Sequence, residues 1–352
     1  IEEVPSGVRT ITGVATSITA FVGRAKRGEK DKARMINSFG DFERIFGGLW
    51  LDSQLSFAVR DFYLNGGSQA IIVRLYHAEE GEDPTPGKAK VAAGGIALEA
   101  ASEGAWGANL RVTVDKKGIS DDVATSLGVD KDDLFNLSVR DAAPGGATER
   151  FINLTVVESA RRIDRLLEAE SSLVRWDSDS ELDPTSPPTV SEGDDPVTTA
   201  EDALAEAKKA LNEKLIADPD ADVEAERQAI TEAEQSVNVV KEDLEASDGQ
   251  HLTAVDFLPA HGEANKKGLY ALEQADLFNL LCIPPYRTSD SVNFDVDTTV
   301  VAAATAYCEK RRAMYLIDPP SGWKTKQNAK DNFTATSNDF PGVRSKNAAI
   351  YF

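Results

Sequence analysis

The run Gly23-Arg24-Ala25-Lys26-Arg27-Gly28 follows an apolar stretch and has the glycine spacing of a phosphate-binding loop. Such a loop needs lysine and then serine or threonine directly after its second glycine. The lysine reaches the phosphates and the hydroxyl holds magnesium. Glu29-Lys30 stands there instead, so the lysine is displaced and the hydroxyl is missing. The segment therefore reads as a basic turn between strands. The wider basic run Arg24, Lys26, Arg27, Lys30, Lys32, Arg34 reads as a solvated turn, with contact to an acidic neighbouring surface as its alternative.

Other reactive side chains are scattered. No G-x-S-x-G elbow occurs, and Ser321 lies in the loop Pro319-Pro320-Ser321-Gly322-Trp323. His77, His251 and His261 are the only histidines, and none stands at metal-ligand spacing from another or from a cysteine. Asp194-Asp195 and Asp218, Asp220, Asp222 gather carboxylates, but the second group lacks the glycine and distal glutamate of a calcium loop. Solvated acidic turns are the expectation. No catalytic, cofactor-binding or metal-binding residue is assigned, no cofactor is expected, and the chain is not read as an enzyme. Cys282 and Cys308 sit in apolar surroundings and read as free thiols.

The elements that position these residues follow from periodicity. Residues 8–23 alternate β-branched and small side chains and predict one or two strands. Ser38 precedes Phe39, Phe42 and Phe46 at helical spacing, and Gly47-Gly48 stops that helix. A second helix carries Leu51, Leu55, Ala58, Val59 and Phe62, ends at Gly66-Gly67, and leads to a buried strand Ala70–Leu75. Past the turn-rich segment 79–84, short strands are expected at Ile96–Ala100, Leu110–Val114, Phe135–Val139 and Phe151–Val156, forming an antiparallel sheet or sandwich.

Residues 177–248 hold 22 acidic and 5 basic side chains, most of the formal net charge of −21. Such a module repels nucleic acid and anionic membrane, so neither is an expected partner. Within it, 177–197 predicts a mobile acidic loop. Thr198 and Glu201 read as a capping box opening an antiparallel helical hairpin. Leu204, Ala207, Leu211 and Leu215 mark one inner face of that hairpin; Val223, Ile230, Ala233, Val237, Val240 and Leu244 mark the other. No window offers the ~20 apolar residues of a membrane span. After Gly262 a strand (Leu277–Ile283), a helix (Val300–Cys308), a strand (Ala313–Asp318) and the start of another (Asn347–Phe352) return to a βαβ pattern.

Three blocks resemble contractile tail sheath proteins, the sheath subunits of phage tails and related injection machines. The first, Val4–Leu75, contains VPSGVRTITGVATSITAFVGRAKRG, SFGDFERIFGG and LSFAVRDFYLNGGSQAIIVRL. The second is LEAASEGAWGANLRVTV at Leu98–Val114, and the third, Leu269–Pro320, contains LYALEQADLFNLLCIPP and AYCEKRRAMYLIDPP. Together they span about half of the chain. The acidic loop and hairpin match nothing general to the family. Sheath proteins also carry a longer N-terminal arm and continue past Asn347–Phe352 into a C-terminal domain. The resemblance thus implies a chain without that domain and with only Ile1–Pro5 of the arm, monomeric or weakly associated as it stands.

The fold implied is a mixed α/β sheath core with an inserted antiparallel β domain carrying a helical hairpin. Its boundaries are 1–78 for the first part of the core, 79–262 for the outward-facing insertion (hairpin module 177–248), and 263–352 for the second part. The function implied is structural. Copies polymerise as stacked rings around an inner tube and contract by rotating and repacking, driving the tube through a target envelope. The implied partners are the chain itself as a helical homo-oligomer, the inner tail tube protein, and baseplate and tail terminator proteins. The implied location is the tail of a virion or an injection-system particle, assembled in the bacterial cytoplasm, with a role in genome ejection. Two other readings stand beside it: a nucleotide-binding α/β protein with a regulatory insertion, and a surface adhesion module recognising its target through the acidic hairpin.

Overall fold

A computed structural model of the chain describes residues 17–78, 87–191, 196–219, 221–242, 244, 246–286, 295–333 and 344–352. Two units emerge: one from residues up to Ala25, Lys30–Leu75 and His251–Phe352, the other from Lys26–Glu29 and Tyr76–Gln250. The first opens with β1 (Thr19–Arg24), β2 (Ala33–Ile36), α1 (Phe39–Phe46), α2 (Gln54–Leu64) and β3 (Ala70–Leu75). The second supplies β4 (Lys90–Ala93), β5 (Ile96–Ala100), β6 (Leu110–Asp115), α3 (Asp121–Leu127), β7 (Phe135–Asp141), β8 (Thr148–Leu154), α4 (Ile163–Glu170) and β9 (Val174–Trp176). Its long helices are α5 (Pro196–Ala217) and α6 (Glu224–Glu242). The first unit then closes with α7 (Ala254–Phe257), α8 (Gly262–Asn265), β10 (Leu280–Cys282), α9 (Thr298–Arg311), β11 (Met314–Ile317), α10 (Lys326–Asn332) and β12 (Ala348–Ile350). The chain re-enters this unit at His251 rather than at the 262 boundary drawn from sequence, because Leu252 and Phe257 are buried in its core.

The first unit is built on one six-stranded sheet, ordered β12-β11-β10-β1-β3-β2. All neighbours are parallel except β2, which pairs antiparallel with β3. Thr19 of β1 sits opposite both Leu280 and Ala70, which splices the two ends of the sequence into one ladder. β1 and β3 are buried at every position, as central parallel strands require. On one face Ala20, Val22, Val73, Leu281 and Tyr315 pack with α9 through Val300, Ala304 and Tyr307. On the other, Phe21, Ile36 and Ile72 pack with Phe42, Phe46, Leu55 and Val59.

Local chemistry explains the helix ends. The Ser38 hydroxyl accepts from Asp41 N–H to start α1, and Gly47 at φ 88° ends it. α2 begins only after Ser53, whose hydroxyl accepts from Leu55 N–H, so Leu51 lies before the helix and is 86% exposed. The strand expected at Leu277–Ile283 is shorter, because Asn279 turns its side chain back to accept from Ile18 N–H. Gly268 has φ 63°, and a Cβ there would stand 2.4 Å from Phe257 O.

The second unit holds two three-stranded antiparallel sheets, β4-β5-β9 and β6-β7-β8, sharing a core that includes Leu98, Trp106, Val114, Phe135, Leu137, Leu167 and Val174. The register breaks between Phe135 and Leu137, and the intervening Asn136 turns its amide to polar work. Its Nδ2 donates to Asp115 Oδ1 at 2.7 Å, and its Oδ1 accepts from Asn153 N–H at 3.1 Å. Burial pushes the Asp115 carboxyl pKa up, but bonds from Asn136, Lys117 N–H and Arg150 outweigh it, leaving the group below its ordinary 3.8. A carboxylate with a depressed folded pKa stabilises fully above its unfolded value and loses that contribution as pH falls through the folded one. This unit is therefore expected to weaken below about pH 4, and Asp115→Asn should flatten that dependence in acid titrations of unfolding.

The hairpin forms with corrections to its inner details. Proline at the first helical position starts α5 at Pro196, so Thr198 and Glu201 lie inside the helix rather than capping it. Both grip buried Arg111 instead: Nε donates to Thr198 Oγ1 at 3.1 Å, and Nη2 lies 3.4 Å from Glu201 Oε2. Leu204, Ala207 and Leu211 face inward as expected, but Lys214 rather than Leu215 continues the stripe and pairs with Glu226. Leu215 is exposed. The stretch 177–191, expected as a mobile loop, is fastened. Asp177 Oδ1 accepts from Asp179 N–H, Thr189 N–H donates to Gly94 O, and Ser191 bridges Val114. Its short polar residues make Asx turns instead of solvated coil. Asp194, Asp195 and Asp220 lie outside the described residues.

Candidate functional site

The structure disperses the residues singled out for chemistry. Gly23 is buried within β1, and the following turn leads to strand β2 rather than to the helix N-terminus that a phosphate loop requires. Gly28 N–H donates to Ser102 Oγ at 2.9 Å. The basic run does not form one face. Arg24 is buried and stacks 4.5 Å from the Trp50 ring centroid. Arg27 pairs with Asp141 at 3.1 Å, while Lys30, Lys32 and Arg34 are exposed.

Ser321 N–H donates to Asp295 Oδ1 in a turn after β11. His77 bridges Gln250 in the second unit, and His251 and His261 are exposed in the first. Asp222 accepts from Glu224 N–H at the start of α6, a helix-starting role. Among the described residues, no three His, Cys, Asp or Glu side chains converge as metal ligands. Cys282 and Cys308 are free, and burial pushes both thiols up to about 12, away from thiolate reactivity.

What the first unit does present is main chain. Among the described residues, β2 and β12 are the outer strands of its sheet. β2 bears Arg34, and Lys32 immediately precedes it; charged side chains of this kind blunt an edge. β12 reads Ala348-Ala349-Ile350 and carries no charge. Tyr315 N–H donates to Asn347 O at 2.8 Å, so Ala349 is the next ladder residue and the main-chain groups of Ile350 point off the sheet. An uncharged edge of this kind offers a template for another strand. Sequence reading found the strand but not its edge position, which depends on sheet order.

No protein-family model matches the chain, and no curated protein matches it. Similar solved structures are sheath tail proteins. One, from Listeria innocua, is 14% identical with a TM-score of 0.44, covering 87% of this chain and 49% of its own. Another, from Desulfitobacterium hafniense, is 16% identical with a TM-score of 0.38, covering 90% and 52%. The chain spans about half the length of these sheath tail proteins.

Proposed function

We propose that the chain is a structural subunit of a contractile tail sheath, and that β12 is one of its assembly edges. The observation carrying this reading is the uncharged edge strand on a sheet whose other five strands all fall within the motif blocks Val4–Leu75 and Leu269–Pro320. In the proposed mechanism a strand from a neighbouring copy pairs with β12. Paired strands keep their hydrogen bonds while flexible linkers absorb a large rotation of the subunit bodies. Contraction is then a repacking of the lattice around an inner tube into a lower-energy arrangement, with no substrate bond broken. Tube, baseplate and terminator proteins are the proposed partners, and the tail of a virion or injection particle is the proposed location.

Electron microscopy of protein expressed from its complete gene, alone and with a tube protein, tests this. Hollow cylinders are the expected product. Ile350→Pro removes an outward N–H and should abolish cylinders while costing the folded subunit no more than about 1–2 kcal/mol. Absence of cylinders from both wild-type preparations would sink the proposal. Removing residues 208–234 and rejoining α5 to α6 with a short glycine linker should leave assembly intact, which separates a decoration from an adhesive surface. That cut spares Thr198 and Glu201, which hold Arg111.

A further inference from the structure

In the second unit, the loop after β9 is tied back to the β4–β5 hairpin. Asp177 N–H donates to Ala97 O at 3.3 Å, and Thr189 N–H donates to Gly94 O at 2.8 Å. Between loop and hairpin lies a cavity of about 290 Å³ whose lining includes Ile96, Val156, Trp176, Ser180, Glu181 and Asp183. All of its lining falls within the continuous described stretch 87–191. Ligand pockets run from roughly 300 to 1,000 Å³, so this one suits a group the size of a single side chain.

Ile96 and Val156 are buried and give the cavity an apolar wall. Trp176 Nε1 donates to Ser180 O at 2.9 Å, which fixes the plane of its indole. Glu181 and Asp183 flank Leu182, which packs against the core of the unit, and both acidic residues line the cavity. Asp183 Oδ1 accepts from Thr185 Oγ1 at 2.7 Å and from Thr185 N–H at 2.8 Å. Those bonds hold its carboxyl below the ordinary 3.8, so it is ionised at neutral pH. Among the described residues, no lysine, arginine or histidine lines the cavity. The residues of this unit outside the described ranges (79–86, 192–195, 220, 243 and 245) include no lysine or arginine either. None of those stretches can neutralise the two carboxylates.

Exposed carboxylates by themselves hold a cation weakly, because water screens the pair. A fixed indole and a confined, partly apolar space strengthen the contact, since the cation is partly desolvated there. Arginine matches this combination of groups. Its planar guanidinium stacks on an aromatic ring while its N–H fork reaches carboxylates, and its stem is apolar. We infer that this cavity receives an arginine side chain of a basic partner protein, its guanidinium against Trp176 and shared between Glu181 and Asp183. The formal net charge of −21 steers a basic surface toward the chain and opposes a second copy. The inference is independent of the sheath proposal.

The probe is N-acetyl-arginine N-methylamide, which presents arginine as it stands within a chain. Its citrulline analogue is the uncharged counterpart of the same shape. Indole N–H signals of the complete ¹⁵N-labelled protein report binding, and Trp176→Phe identifies the Trp176 signal among the four tryptophans. Arginine amide should shift the Trp176 signal saturably, with a midpoint near about 1 mM, and leave Trp50, Trp106 and Trp323 unmoved. Citrulline amide should bind at least about tenfold more weakly. The double variant Glu181→Gln, Asp183→Asn changes two exposed side chains and keeps the acceptor for Thr185, so it should fold normally yet weaken arginine binding about tenfold or more. Removing 208–234 takes away much of the acidic hairpin as a competing attractor and should leave binding unchanged. Absence of a saturable shift, equal binding of citrulline, indifference to the double variant, or loss of binding on trimming the hairpin would overturn the inference. So would sedimentation showing copies that associate and separate in the double variant, since the occupant would then be a second copy.

Discussion

Replacing Arg311 by alanine is expected to destabilise the first unit by about 3 kcal/mol or more, the size typical of breaking a largely buried charge cluster. Its Nη1 donates to Leu272 O at 3.0 Å and to Tyr307 Oη at 2.8 Å, while Nη2 donates to Ala275 O at 2.7 Å. The same guanidinium lies 5.1 Å from the Phe278 ring centroid and 3.6 Å from Glu273 Oε1, with 15% of the side chain exposed. One residue in the last turn of α9 thus fastens the 3₁₀ turn Gly268–Gln274, which closes over the core through Leu269 and Leu272. Alanine strands two carbonyls and a carboxylate at once, and each orphaned buried group costs about 1–3 kcal/mol. Lysine restores the charge but cannot fork to both carbonyls, so Arg311→Lys should recover less than half of the loss. Urea unfolding is the measurement, and a shift under about 1 kcal/mol would contradict the assigned role.

The second large effect is expected at Arg27. Its Nη1 sits 3.1 Å from Asp141 Oδ2, and its guanidinium lies 5.6 Å from the Trp106 ring centroid. The Asp141 side chain is only 6% exposed, and its other oxygen accepts from Ala143 N–H at 3.0 Å. Arg27→Ala leaves that carboxylate buried and unpaired, for an expected loss of about 2–4 kcal/mol in the second unit. The double variant Arg27→Ala, Asp141→Ala should be less damaging than the two single losses added, because no unpaired charge remains. Strict additivity in that cycle would show that the pair does not hold the segment Lys26–Glu29. The charge is therefore structural here, which is why the basic run does not behave as one surface.

Much of the first unit could be read residue by residue. The helix from Phe39 to Phe46 was legible because both of its ends are local: a serine hydroxyl three residues from its donor, and a glycine free to adopt positive φ. The strand Ala70–Leu75 was legible as an apolar run set off by Gly66-Gly67, and the helix around Val300–Cys308 because Val300, Ala304 and Tyr307 recur at helical spacing. β4 and β9 were missed, since four- and three-residue strands carry too little periodicity to register. Thr198 and Glu201 were misread for a related reason. Their spacing fits a capping box, yet their partner Arg111 lies 87 and 90 residues away.

Periodicity, turn residues and the placement of acid along the chain were enough to determine that this protein is a mixed α/β core interrupted by antiparallel strands and a charged hairpin. Those signals act over a few residues, where backbone preference and side-chain spacing are decided. Tertiary structure alone decided the sheet order, and with it which strand forms an uncharged edge among the described residues. It also decided that Arg27 and Arg311 serve as fasteners rather than as surface charge. The physical reason is that an edge and a buried ion pair are defined by what packs beside them, and those neighbours come from distant parts of the chain.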